Sequence, residues 1–400
     1  MRLTSVSLRT RADAIRLSGE VEPASASAPF ELYFDYPIEC ARFVSESADA
    51  FAVAMLIPAM MSGEPLEIVP PISRRLQFEL PRIRDIFHSW HPEFSRCAIN
   101  VTARAVEPSP HAASAATFFS GGVDSFYTLL KYRNGHERLP SPLTHVVFMR
   151  GLEKPLDFMR GVEDAQARVQ RIAGAAGVRL IVGESNLRAH FKADWLNIYC
   201  GSGLVAAALS LANGFTHVCI PSAFSYRDAH PTSTTPLVDE RFSTESLRII
   251  HDGAELGRAE KLARIVDWNQ DLVLQNLRVC VMNFGGVYNC CECRKCVRTM
   301  MALRILGVFD RAETFPNKST AHWEAVAGFD DLIFLEENLA LARTRGRDPE
   351  MMRLLERLIL QRRRKDAIHA FLQNSPLRSA IAPIQAWRRN YAALKQRLRG

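Results

Sequence analysis

The chain has 400 residues, 48% of them apolar and 23% charged, a globular composition that excludes disorder, collagen-like repetition and a membrane bundle as overall descriptions. Its net charge of +7 comes from 50 Lys and Arg against 43 Asp and Glu, but the excess is unevenly placed. From Arg353 to Gly400 there are twelve basic residues against Glu356 and Asp366, a charge of +10, so the preceding 352 residues carry −3. Five of the nine cysteines lie between Cys280 and Cys296.

Residues 1–20 scatter Arg2, Arg9, Arg11 and Arg16 among single apolar residues and lack the apolar stretch of about 7–15 residues that a secretory signal needs. The chain is therefore expected in the cytoplasm. The longest apolar run, residues 50–61, is interrupted by Pro58 and falls short of the ~18 residues of a spanning helix, so no transmembrane segment is expected. Cys40, Cys97, Cys200 and Cys219 stand alone in apolar surroundings and read as core residues.

Residues 1–110 alternate polar and apolar at 3–7, 30–34 and 76–80, with a helix expected over 47–57. This pattern predicts a small N-terminal α/β domain of unknown role. A Pro- and Ala-rich link, residues 106–115, follows. Short apolar runs at 116–119, 145–149, 179–182 and 216–220 then alternate with helical patterns at 124–132, 162–176 and 203–212, and a further helix is expected over 254–265. Strands of this length separated by helices predict βαβ units and a parallel sheet covered on both faces. The rest, residues 307–400, reads as a helical extension with a basic tail, including the helical spacing of Met351, Leu354, Leu355 and Leu358.

The first of these strands runs into Ser120, Gly121, Gly122, Val123, Asp124 and Ser125, where a helix begins. Adjacent glycines let backbone N–H groups approach an anion, and the helix aims its positive dipole end at the same place. Ser120 and Ser125 add hydroxyl donors, and Asp124 suits a Mg²⁺ shared with phosphates. The plainer alternative is a tight turn with Asp124 as a helix cap. A rival glycine signal, Gly201, Gly203 and Ala206, fits a relaxed dinucleotide fingerprint, but residues 194–200 make a poor buried strand before it and Asp228 falls in a loop. Close helix packing is the better account.

Cys280, Cys290, Cys293 and Cys296 have the spacing C-x9-C-x2-C-x2-C, with Cys291 beside the second. Two-residue gaps let thiolates converge on one ion, and four sulfurs make a closed tetrahedral Zn²⁺ site. Gly285 and Gly286 would let the intervening loop fold back. An iron–sulfur cluster and thiol chemistry are the competing readings, and Cys291 could replace Cys290 or stay a free thiol.

Ser-Gly-Gly-x-Asp-Ser after a strand resembles the pyrophosphate-binding loop of the N-type ATP pyrophosphatases, the PP-loop superfamily. The knuckle that follows narrows the likeness to the 7-cyano-7-deazaguanine synthase family, over residues 115–306. The resemblance implies an adenine nucleotide alpha hydrolase-like fold. It also implies ATP cleaved between its α- and β-phosphates with the loop holding pyrophosphate, and a structural zinc at the four cysteines. In that family a carboxylate on a deazapurine is adenylylated and converted with ammonia to an amide and then a nitrile. The resemblance further suggests that Phe148 and Met149, closing the second strand, hold the adenine. The N-terminal domain and the basic helical extension depart from the compact family pattern.

Substrate selection is expected in the loop after the fourth strand, with Tyr226, Arg227, Asp228 and His230, and in later segments carrying Asp239, Arg241, His251 and Asp252. Arg227 is expected to meet substrate or phosphate charge, with His230 or Asp228 as proton acceptor; turn formation is the plainer role for such residues. Asn186 is placed at the same cleft, and Lys261 either reaches phosphates or lies on a solvated face.

The expected activity is an ATP-dependent, AMP- and pyrophosphate-forming C–N ligase acting on a carboxylate, an amide or a deazapurine-like small molecule, with a macromolecular acceptor left open. PP-loop sulfur transfer, with Cys291 as its candidate thiol, and a non-catalytic nucleotide-binding scaffold are the alternatives. The tail segments Arg362–Lys365, Arg388, Arg389 and 395–399, with Trp387 and Tyr391 interleaved, leave nucleic-acid contact open without favouring it. A homodimer is also left open.

Overall fold

The computed structural model describes residues 1–24, 28–105, 112–156, 161–282 and 287–373. Three strands open the chain, β1 (Arg2–Thr10), β2 (Ala14–Glu22) and β3 (Phe30–Pro37), followed by α1 (Asp49–Ser62), β4 (Leu66–Ser73), α2 (Arg74–Trp90) and β5 (Ile99–Arg104). Strand and helix then alternate: β6 (Ser114–Phe118), α3 (Val123–Arg133), β7 (Leu143–Arg150), α4 (Val162–Ala175), β8 (Arg179–Ser185), the short α5 (Leu187–His190), α6 (Cys200–Ser210), β9 (Phe215–Pro221) and β10 (Arg248–Asp252). Helices complete the fold: α7 (Arg258–Trp268), α8 (Gln270–Asn276), α9 (Arg294–Ile305), α10 (Trp323–Ala327), α11 (Leu332–Arg345) and α12 (Pro349–Gln373).

The strands form one ten-stranded, mostly parallel sheet in the order β10-β9-β6-β7-β8-β3-β2-β1-β4-β5. Strands β6 to β10 are parallel and lie in the doubly wound order, so β6 is flanked by strands whose connections leave in opposite directions. The period-two alternation of a strand sends neighbours to opposite faces. Ala116, Phe118, Val147, Ile181 and Val218 accordingly join one core with residues of α1 and α6, while Ala115, Phe119, Val146 and Phe148 join a second core with α3, α4, α7 and α9. The result is an α/β architecture of helix, sheet and helix layers, the coarse fold that the sequence pattern predicts.

Among the described residues, those before 106 share their core with the central sheet. β3 adds antiparallel to β8, with Phe34 opposite Ser185, and Tyr36 shares a 2.6 Å hydrogen bond with Ser210 of α6. The core containing Leu3, Leu17 and Phe51 therefore runs on without a break into Val205 and Phe215. Helices α10, α11 and α12 likewise bury Trp323, Leu335 and Leu355 in the same core as α9. Neither flank can bury its apolar face without the central sheet.

Three local expectations change. Residues 76–80 belong to α2, where Leu76, Leu80, Ile83 and Phe87 are the buried positions; five residues were too short a window to separate strand from helix period. His251 and Asp252 sit in β10 rather than a loop. Pro58 lies inside α1 and does not end it. Residues 106–111, Gly285, Gly286 and the tail from 374 on, with Trp387, Arg388, Arg389, Tyr391 and 395–399, lie outside the described residues. Among the described residues no helix is long and apolar enough to cross a membrane.

The survival of α1 has a specific cause. Proline supplies no N–H to the carbonyl four residues back, which leaves the Ala54 oxygen without a helical donor. Tyr199, fully buried, donates its hydroxyl to that oxygen at 2.7 Å. Replacing Tyr199 by Phe is expected to cost ~1–3 kcal/mol in urea unfolding of the full chain, by leaving a buried carbonyl unpaired. The loss should shrink when Pro58→Ala restores the helical donor. An equal loss in both backgrounds would contradict this role for Tyr199.

Candidate functional site

The switch point of a doubly wound sheet opens a crevice at the carboxyl ends of its strands. Here that crevice is a cavity of about 770 Å³. Ser120, Gly122, Asp124 and Ser125 line it from the β6–α3 turn, Phe148, Met149 and Arg150 from the end of β7, and Cys280 and Cys293 from the cysteine segment.

Backbone geometry in the turn depends on its glycines. Gly121 has φ +79°, and a Cβ there would lie 3.3 Å from the Tyr288 hydroxyl and 3.5 Å from Arg278 Cβ. Gly121 also accepts the Arg278 N–H at 2.8 Å, tying the turn to the segment before Cys280. Gly122 caps α3 without any side-chain acceptor, so the helix opens on the cavity with its positive end uncovered. Ser125 donates its hydroxyl to the Gly122 carbonyl at 3.0 Å. Val123 is buried in the core and contributes only backbone.

Asp124 is not a helix cap. Its Oδ2 meets Arg258 at 2.7 Å and its Oδ1 lies 3.7 Å from Lys261 Nζ, while Oδ1 is buried without a hydrogen-bond partner. Lys261 is fully buried and donates to the Ser222 carbonyl at 2.6 Å; burial and the nearby Arg258 push its pKa down, with Asp124 opposing. The solvated alternative for Lys261 is thereby ruled out.

A basic wall faces the turn. Lys154, Arg258, Arg278, Lys295 and Arg298 all line the cavity. Arg278 pairs with Glu153 at 3.1 Å; burial works against ionisation of Glu153, but Arg278 and Lys295 hold its pKa below the usual carboxylate range. Arg298 binds Asp330 at 2.5 Å and stacks over Phe334 at 3.7 Å, and burial pushes its pKa down to about 10. Burial, then Arg258, lowers the pKa of Lys295. Such a wall, with an uncapped helix end opposite, attracts polyanions. Sequence reasoning did not single out Arg258, Arg278, Lys295 or Arg298. A signal existed in Lys295 and Arg298, which are three apart on α9 and so share a face next to the knuckle.

The selectivity loop is only partly at the cavity. His230 lines it, packing edge-on against Phe224 with Nδ1 2.8 Å from the Asp228 carbonyl. Asp228 turns away to Ser225, and Arg227 is largely exposed beside it; neither lines the cavity. Asp239 and His251 form a buried 2.8 Å pair, Asp252 binds Lys131 at 2.7 Å, and Arg241 reaches Glu79 at 2.9 Å. Asn186 bonds the β3 backbone at Tyr33 and Glu31 rather than facing the cleft. At the rival glycine pair, a Cβ on Gly201 would fall 2.1 Å from the Ser233 carbonyl and one on Gly203 2.7 Å from Trp195. Close packing therefore accounts for both.

The sulfurs of Cys280, Cys290, Cys293 and Cys296 lie within 4.8 Å of one another, and the four could hold a metal ion such as zinc. Sulfurs bound tetrahedrally at ~2.3 Å would be about 3.8 Å apart; the measured separations are 4.0 Å for Cys280–Cys293 and 3.9 Å for Cys290–Cys296. Asn289 braces the cluster, accepting from Val279 and Cys280 and donating to Leu277 and Thr314. Cys291, at φ 60°, points its thiol to the Asn289 carbonyl and is not one of the four.

No protein-family model, curated protein or solved structure matches this chain. Elemental analysis of the purified protein is expected to find one thiophilic divalent ion per chain. Cys293→Ser should strip most of it and lower the melting temperature by several degrees, while Cys291→Ser keeps it. Full metal retention in Cys293→Ser would contradict the four-sulfur assignment.

Proposed function

We propose that this chain is an ATP-dependent ligase on an adenine nucleotide alpha hydrolase-like fold. It adenylylates a carboxylate or amide, releasing pyrophosphate, and joins the acyl carbon to ammonia or an amine as its bond to the adenylate oxygen breaks and AMP leaves. The observation that carries this reading is the glycine turn at the sheet's switch point, opening an uncapped helix end onto a cavity lined by seven Lys and Arg side chains.

In this reading the turn and α3 bind the β- and γ-phosphates, with Arg258, Arg278 and Lys295 neutralising the leaving pyrophosphate. Phe148 and Met149 take the adenine, and the acceptor enters between Trp195, Phe224 and Phe334. Asp124 would hold Mg²⁺ through its unpartnered Oδ1, as one carboxylate beside phosphate oxygens. Bound there, the ion would draw charge from the α- and β-phosphates. His230 is the base for the incoming amine. The Asp228 carbonyl only accepts, so His230 Nδ1 carries the proton and Nε2 of the neutral ring is free to take one.

Sulfur transfer fits less well. Cys200 is the cavity-lining thiol outside the metal cluster, and burial pushes it up to about 12, so it is protonated at neutral pH.

ATP–pyrophosphate exchange across a panel of carboxylic acids tests the proposal. Exchange should depend on one acid class, and Gly121→Ala and Asp124→Asn should each cut it about 10²-fold or more. No exchange with any acid, and Asp124→Asn indistinguishable from wild type in ATP binding, would leave a scaffold. His230→Gln should spare exchange but slow the ammonia-dependent step about 10²-fold. Equal losses in both steps would remove His230 as the base.

A further inference from the structure

At the opposite end of the same strands lies a second cavity of about 470 Å³, lined by Arg42, Arg133, Arg179, His145 and small residues at the amino ends of β7, β8 and β9. The three arginines arrive from separate elements: a 3-10 turn over Ile38–Phe43, the last residue of α3 and the first of β8. No carboxylate lines this cavity, and none of the three forms an ion pair among the described residues.

Arg133 is held in place by its Nε bond to Ala176 at 2.9 Å and by Nη1 to Leu143 at 3.4 Å. Its remaining nitrogen, Nη2, borders Gly177, where φ is +64° and a Cβ would come within 3.1 Å of it. The floor is aromatic: Phe43 and His145 meet edge to face at 5.3 Å, and Gly214 leaves the space that the Phe43 ring fills. Burial, then Arg179 and Arg42, push His145 down to about 4, so at neutral pH the cavity carries three positive charges and no negative one.

We infer that this cavity is a second anion site, built for a small polyphosphate or the phosphate chain of a nucleotide. A single carboxylate would leave most of the charge unmatched. A phosphate chain matches it and suits guanidinium forks, which bind phosphate oxygens in pairs. The site is independent of the ligase reading, because no residue of it lines the switch-point cavity.

Calorimetric titration of the full chain with inorganic pyrophosphate tests this, using citrate as a carboxylate comparison. Wild type should show two classes of site. Arg42→Ala with Arg179→Ala should weaken one class at least tenfold, and Gly121→Ala should weaken the other. If the ligase reading fails, wild type should still show one class, lost in the arginine variant and kept in Gly121→Ala. Unchanged binding in the arginine variant, with its melting temperature intact, would overturn the site. Citrate binding as tightly as pyrophosphate would overturn its assignment to phosphate.

Discussion

Four sulfurs crowded within 4.8 Å constrain everything on the basic side of the main cavity. Thiols must lose their protons to hold a cation, so ionisation of the cluster and metal binding go together. Arg278 lies two residues before Cys280 and is tied through its N–H to Gly121. Cys293 is the N-cap of α9, whose next turn carries Lys295 and Arg298. The cluster thus ties together the segment before Cys280 and the start of α9, and both deliver cations to one wall. Its role is positional: it sets where the charges stand opposite the glycine turn.

The turn and the wall need each other. Buried cations are costly unless paired, and Arg258, Arg278 and Arg298 each have one carboxylate, in Asp124, Glu153 and Asp330. Lys261, which also faces Asp124 at 3.7 Å, and Lys295 stand beside these pairs, so the three carboxylates meet five cations. The remaining positive potential is concentrated in a low-dielectric cleft, where an anion is held more strongly than on an open surface.

Much of this was legible from local signals and little from long-range ones. The strand, glycine turn and helix of β6 and α3 announced themselves because φ > 0 and close backbone approach demand glycine at Gly121. The cysteine spacing picked out the four sulfurs that converge, and the structure separates Cys291 from them by pointing its thiol at Asn289. What the sequence hid was pairing between distant segments. Arg258 is 134 residues from Asp124, and no periodicity reveals that contact. Nor does a charged residue after a strand reveal its partner: Asp228 accepts from Ser225 and lies beside the exposed Arg227. The continuity of the core from Leu17 and Phe51 into Val205 and Phe215 was hidden for the same reason: strand alternation shows that a face is buried, not what covers it.

Net charge gives the final lesson in scale. The first 352 residues carry −3, which taken alone would argue against polyanion binding by the body of the protein. Charge balance over hundreds of residues says little about potential inside a cavity, because exposed charges more than about 10 Å apart are screened at moderate salt. A slightly acidic body can therefore hold positive cavities, since many of its carboxylates lie elsewhere, as Glu260, Asp267 and Glu336 do on outer helix faces with their own arginines. The distribution of charge, set by which residues the knuckle and the sheet ends bring together, decides what this chain attracts.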